Sequence, residues 1–160
     1  MAEIIKLKEN NILKVIIHDK YDKPTGQYLE FDMEDIELGL KYQDCLEQHK
    51  KNLNYLKMQN AIIEKRQDVK GKKLLSKNEE DFYKLIRKEF FKREMDAFDL
   101  FLGKDGCKKI LNGRNPYFEM FDDINDIIKP ILPSLKTNIQ DISKKIKNKY
   151  SKREEGNILE

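Results

Sequence analysis

The stretch Met95–Ile128, MDAFDLFLGKDGCKKILNGRNPYFEMFDDINDII, decides how the chain is read. Large apolar residues crowd between firm turn signals. Gly103 and Gly106 bracket a first break, and Gly113 and Pro116 a second. The pattern reads as the end of one helix, a short second helix over 104–111, and the start of a third. Gly113 suits the left-handed position past a helix end, where a β-carbon is costly. Asn115-Pro116 suits a restart, with Asn as N-cap and Pro at the first helical position. Tyr117, Phe118, Phe121, Ile124, Ile127 and Ile128 then line the next helix, which Pro130 and Pro133 break or kink.

Upstream of this stretch, Ser76-Lys-Asn-Glu79 is a capping box. The helix it opens carries two apolar rows. One holds Phe82, Leu85, Ile86, Phe90, Ala97 and Phe101, and the other Tyr83, Phe91, Met95, Phe98 and Leu102. A helix that is apolar on two sides buries both, in a core or against a partner. We take the row of Tyr83, Phe91, Met95, Phe98 and Leu102 as the partner-facing one.

Before that lies a basic linker over 67–75, around Gly71, read as a solvated loop. A long helix precedes it, capped by Asp32 and Asp35 and running to about residue 64–66. Its stripe is Leu38, Tyr42, Cys45, Leu46, His49, Leu53, Leu56 and Ile63, in steps of three and four. Residues 3–31 read as β. Ile12, Leu13, Val15, Ile16 and Ile17 form one run and Tyr28, Leu29 and Phe31 another, with Pro24 and Gly26 marking the turn. A short strand over 4–7 is expected before them. An isolated hairpin is barely stable, so this one needs helices or another sheet to pack on. At the other end, Ile139, Ile142, Ile146 and Tyr150 place one narrow stripe on a Lys-rich helix over 134–150, with a disordered tail from Ser151.

The expected fold is therefore α+β and mostly α, an N-terminal β-hairpin followed by a bundle of four to five helices. The organisation is one domain in three parts: a hairpin region over 1–31, a helical core over 32–133, and a basic helix and tail over 134–160. At 160 residues the chain can bury a real core. Its 38% charged residues suit helices with one buried stripe and a solvated remainder. The 32 basic and 29 acidic residues nearly balance, which argues against a nucleic-acid binder with a clustered basic excess. No apolar run reaches the roughly 18 residues of a membrane helix. Cys45 and Cys107 are expected to be reduced, although one disulfide between them is open.

Chemical motifs are weak. Asp122-Asp123-Ile-Asn-Asp126 has the spacing of a diphosphate–magnesium site, but no second acidic motif accompanies it and a solvated first helical turn explains it better. Cys45 and His49, four apart on a helix, are half of a zinc set without the other half, and core packing is the preferred reading. Gly103-Lys-Asp-Gly106 lacks the phosphate-loop spacing. No catalytic, cofactor or metal residues are assigned, and no enzyme activity is expected. The basic segment from Lys136 to Arg153 could follow a phosphate backbone, which makes a small nucleic-acid-associated or regulatory protein the alternative reading.

Four motifs resemble a known pattern: Phe31-Asp32, Phe98-Asp-Leu-Phe101-Leu-Gly103, Gly106-Cys-Lys-Lys109-Ile110 and Asn112-Gly113-Arg114-Asn115. Over roughly 28–132 the chain resembles tail assembly chaperone-like proteins of long-tailed phages and prophages of Gram-positive bacteria. Leu102, which intrudes before Gly103, departs from that pattern, as does the basic helix over 134–160, beyond the span that the resemblance covers. The resemblance implies a non-enzymatic protein of the bacterial cytoplasm. It would bind the tape-measure protein, keep it soluble until the tail tube polymerises, and be displaced by tail-tube subunits. It also implies a possible homo-oligomer, with no membrane partner.

Overall fold

The computed structural model describes residues 3–4 and 11–159, the last eight as backbone only. Strand β1 (Ile12–His18) pairs antiparallel with β2 (Pro24–Asp32), with Leu13 opposite Phe31 and Val15 opposite Leu29. Helix α1 (Ile36–Glu64) follows, then α2 (Lys77–Leu85), a π-helical turn over Ile86–Phe90, and α3 (Phe91–Leu102). Helices α4 (Gly106–Leu111), α5 (Met120–Ile128) and α6 (Leu132–Leu159) complete the described chain. The fold is the expected α+β arrangement, a hairpin followed by helices.

Hairpin alternation puts Leu29 and Phe31 into the core and leaves Ile16 and Tyr28 outside. The turn is tighter than Pro24 and Gly26 suggest, since both lie within β2. It spans 19–23, where Asp19 Oδ1 accepts from the N–H groups of Tyr21 (2.8 Å) and Lys23 (3.0 Å). Gly26, at φ +82°, serves a register irregularity between Ile16 and His18 instead. Residues 5–7 of the expected leading strand lie outside the described residues.

Helix α1 is capped by Asp35, whose Oδ1 accepts from Glu37 N–H at 2.9 Å. Asp32 ends β2 and accepts from Glu34 N–H, so it shapes the turn before the helix rather than capping it. Ser76 Oγ accepts from Glu79 N–H at 3.2 Å and starts α2 as expected.

Buried positions Ile86, Phe90 and Glu94, with half-buried Phe82 before them, recur at steps of four. On a 3.6-residue turn each such step drifts by about 40°, so three would swing the stripe off the core by about 120°. The π turn, in which Phe91 N–H bonds Ile86 O, widens one turn and absorbs that drift. The phase of α2 is thereby kept into α3, which buries one broad face that takes in members of both expected rows: Glu94, Ala97, Phe98, Phe101 and Leu102.

Phe31 stacks on Phe101 (5.1 Å) and Tyr42 meets the same ring edge-on (5.2 Å), which seats the hairpin on the end of α3. Phe121 of α5 packs on Phe98 (5.2 Å) at the other side. Gly103 (φ +92°) stops α3, and Asn112 and Gly113 both take left-handed conformations after α4.

Three expectations after this point need correction. Asn115-Pro116 does not start a helix. Residues 114–117 run without regular structure, and α5 begins at Met120, whose N–H bonds Tyr117 O at 3.1 Å. Pro133 opens α6 rather than breaking a helix, since the first turn needs no proline N–H. The backbone from Ser151 to Leu159 is helical rather than a disordered tail.

Candidate functional site

The centre of the molecule is polar. The side chain of Glu94 is fully buried where α3 crosses α1. Its Oε1 accepts from Asn52 Nδ2 at 2.8 Å, and its Oε2 lies 2.5 Å from His49 Nδ1. Asn52, also buried, accepts from Gln48 Nε2 at 2.9 Å. His49, Asn52 and Gln48 are one turn of α1, presented together because residues three and four apart share a face. The π turn aims Glu94 at them.

A buried carboxylate is costly unless every lone pair finds a donor, and here both oxygens have one. The hydrogen bond to Glu94 raises the His49 pKa above its usual value. Burial pulls the other way, and the charges of Glu94 and Asp122 add to the rise. The imidazole ring also rests edge-on against Phe98, with centroids 5.6 Å apart.

Two free, buried cysteines flank this cluster. Burial, then the charge of Glu94, pushes the Cys45 thiol up to about 12. Burial and the charge of Asp99 push Cys107 up as well. Its N–H donates to Asp99 Oδ1 at 2.9 Å, and its Sγ lies 3.7 Å from Met95 O. Nucleophilic cysteines are thiolates with lowered pKa, so these two behave as core side chains. Among the described residues no three His, Cys, Asp or Glu side chains are placed to share a metal ion. The acidic motif on α5 is drawn into local pairs: Asp123 accepts from Tyr117 Oη at 2.6 Å and Asp126 pairs with Lys129 at 3.5 Å.

The row singled out for partner binding does not form one exposed stripe. Phe98 and Leu102 are buried in the chain's own core, because α3 buries a face broad enough to take both rows. Tyr83 is exposed. Phe91 and Met95 are half-buried and line an open groove of 350 Å³ with Pro116, rimmed by Arg87, Lys92, Asp96 and Lys108. On α1, the expected stripe members Leu46 and Leu53 are exposed, while Asn52 takes a core position.

Sequence reasoning missed Glu94 and Asn52 altogether. The available signal was position: Glu94 falls four residues after Phe90 and three before Ala97, on an otherwise apolar face. The described helices include none long and apolar enough to cross a membrane. Compared with known protein families, curated proteins and solved structures, the chain matches none.

Proposed function

We infer that the chain is a non-enzymatic assembly chaperone. It binds the apolar, helical tape-measure protein of a long-tailed phage in the bacterial cytoplasm and yields it to tail-tube subunits. The observation that supports this reading most is the groove floored by Phe91, Met95 and Pro116, with charged side chains on both rims. An apolar floor takes the exposed stripe of an amphipathic helix, and a charged rim keeps the covered partner in solution. Tyr83, on the preceding helix, is exposed as well. The motif resemblance over 28–132 supplies the identity of the helical partner. A groove of this size offers modest affinity per copy, which suits a chaperone that must be displaced, and many copies along one partner supply avidity.

The test is co-expression with the tape-measure protein of a long-tailed phage whose tail genes include this chain. The soluble yield of that protein rises, the two co-purify, and Phe91→Asp with Met95→Asp abolishes both effects. An unchanged yield without co-purification sinks the reading. Salt-dependent DNA or RNA binding that vanishes on removing residues 136–160 would put the nucleic-acid alternative in its place.

A further inference from the structure

Helix α6 is only half used by its own body. Its first turns cover the core. Leu135 is buried, Asn138 Nδ2 donates to Met33 O at 3.0 Å, and Ile139 passes so close to Gly39 that a β-carbon there would lie 2.4 Å from Ile139 Cδ1. Residues 144–151 are all exposed. The apolar stripe nevertheless continues past this point. Ile142, Ile146 and Tyr150 extend the face of Leu135 and Ile139, and Ile146 and Tyr150 are 44% and 59% exposed. Around them, residues 142–153 hold six basic side chains and no acidic one: Lys144, Lys145, Lys147, Lys149, Lys152 and Arg153. An apolar stripe left open on the second half of a helix is a face without a cover.

A face of matching character lies beside the base of the same helix. Helices α1 and α5 leave an open groove of 480 Å³ there. Tyr42, Leu46 and Leu132 supply apolar surface, and Asp122 and Asp126 supply charge, only partly offset by Lys129. Leu46 is itself 39% exposed. The arm cannot reach its own groove. Ile146 is fourteen residues beyond Leu132 in one helix, and at 1.5 Å per residue that is about 21 Å.

We propose that two copies of the chain lay their α6 helices antiparallel across a two-fold axis. Ile146 and Tyr150 of each then seat on the Tyr42–Leu46–Leu132 groove of the other. Lys145, Lys147 and Lys149 approach Asp122 and Asp126. Both halves of the contact lie on every copy, so the assembly closes as a symmetric dimer. The contact uses a different surface from the Phe91–Met95 groove and does not depend on the chaperone reading. Nucleic acid or an anionic membrane would also meet the lysines, but neither complements the carboxylate-walled groove at the base of the helix.

Sedimentation velocity on the full chain tests this. The expected species has twice the 19.1 kDa chain mass. Ile146→Asp with Tyr150→Asp weakens association at least ~100-fold, as loss of buried interface anchors does. Asp122→Lys with Asp126→Lys weakens it as well, and so does Lys145→Glu with Lys147→Glu and Lys149→Glu. Mixing these last two variants restores a dimer, now of unlike chains. The substituted side chains are exposed, so circular dichroism of each variant stays that of the parent. A parent chain that remains monomeric overturns the proposal, as does a dimer indifferent to the Ile146 and Tyr150 changes or a failure of the mixed variants to pair. Lysine-dependent binding of DNA oligomers or phosphatidylglycerol vesicles by a monomeric chain overturns it too.

Discussion

His49 and Glu94, forty-five residues apart, meet with Nδ1 and Oε2 at 2.5 Å in the crossing of α1 and α3. The contact joins the one partly exposed imidazole of the core to a carboxylate with no exposed surface. It makes the principal helix crossing dependent on a proton.

The His49 pKa is raised in the folded chain. Its stabilising contribution is therefore fully present below the unfolded value of about 6.5 and is lost as pH rises through the higher folded value. Urea unfolding across this range shows stability falling with rising pH, and His49→Gln removes most of that slope. His49→Ala leaves Glu94 buried with only Asn52 as donor and lowers stability by about 2–3 kcal/mol, the low side for a broken buried pair because His49 reaches solvent. A pH-independent midpoint in the parent chain would contradict this.

Adding one residue to the π turn, by inserting alanine after exposed Lys88, rotates everything downstream by about 100° relative to α2. Glu94 then leaves Asn52 and His49, and Phe98 leaves Phe121. The insertion variant is expected to lose cooperative thermal unfolding, whereas deleting Lys88, which turns the wide turn into a regular one with the same phase, keeps it, and Lys88→Ala unfolds within about 0.5 kcal/mol of the parent.

Phe98 and Tyr83 separate core from surface within what looked like one row. Phe98→Ala opens a cavity between His49 and Phe121 and costs about 3–5 kcal/mol in denaturant unfolding. Tyr83→Ala stays within about 0.5 kcal/mol of the parent. Equal costs would mean that the helix packs with a different phase.

Gly106 is a packing position. A β-carbon there would lie 2.4 Å from Leu102 Cβ, an atom fixed to the end of α3. Gly106→Ala forces α4 away from α3 and costs about 1–3 kcal/mol by the same measurement. Gly71, with nothing within 4 Å of its β-carbon position, tolerates alanine without loss.

Signals carried by neighbouring residues were legible. Ser76 caps because its hydroxyl and the Glu79 N–H are three residues apart, and Gly103 stops a helix because its own φ is positive. The Asn115-Pro116 signal misled because the same pair also suits an extended loop, and the first free N–H of α5 found Tyr117 O instead of an Asn side chain. Of the central polar cluster, only His49 stood out in the sequence, as a member of an apolar stripe. Glu94 read as an ordinary charged residue on a charged helix.

Local spacing alone determined that this chain forms a hairpin and a series of amphipathic helices, because hydrophobic period and turn chemistry act over a few residues. Which faces those helices bury was decided in three dimensions. A stripe records that a face is apolar but not which neighbour covers it, and a carboxylate enters a core only when donors from a distant helix meet it. The Met95–Ile128 punctuation held at Gly103 and Gly113. The π turn before it, settled by the packing of α3 on α1, kept α2 and α3 in phase and placed Glu94 against His49.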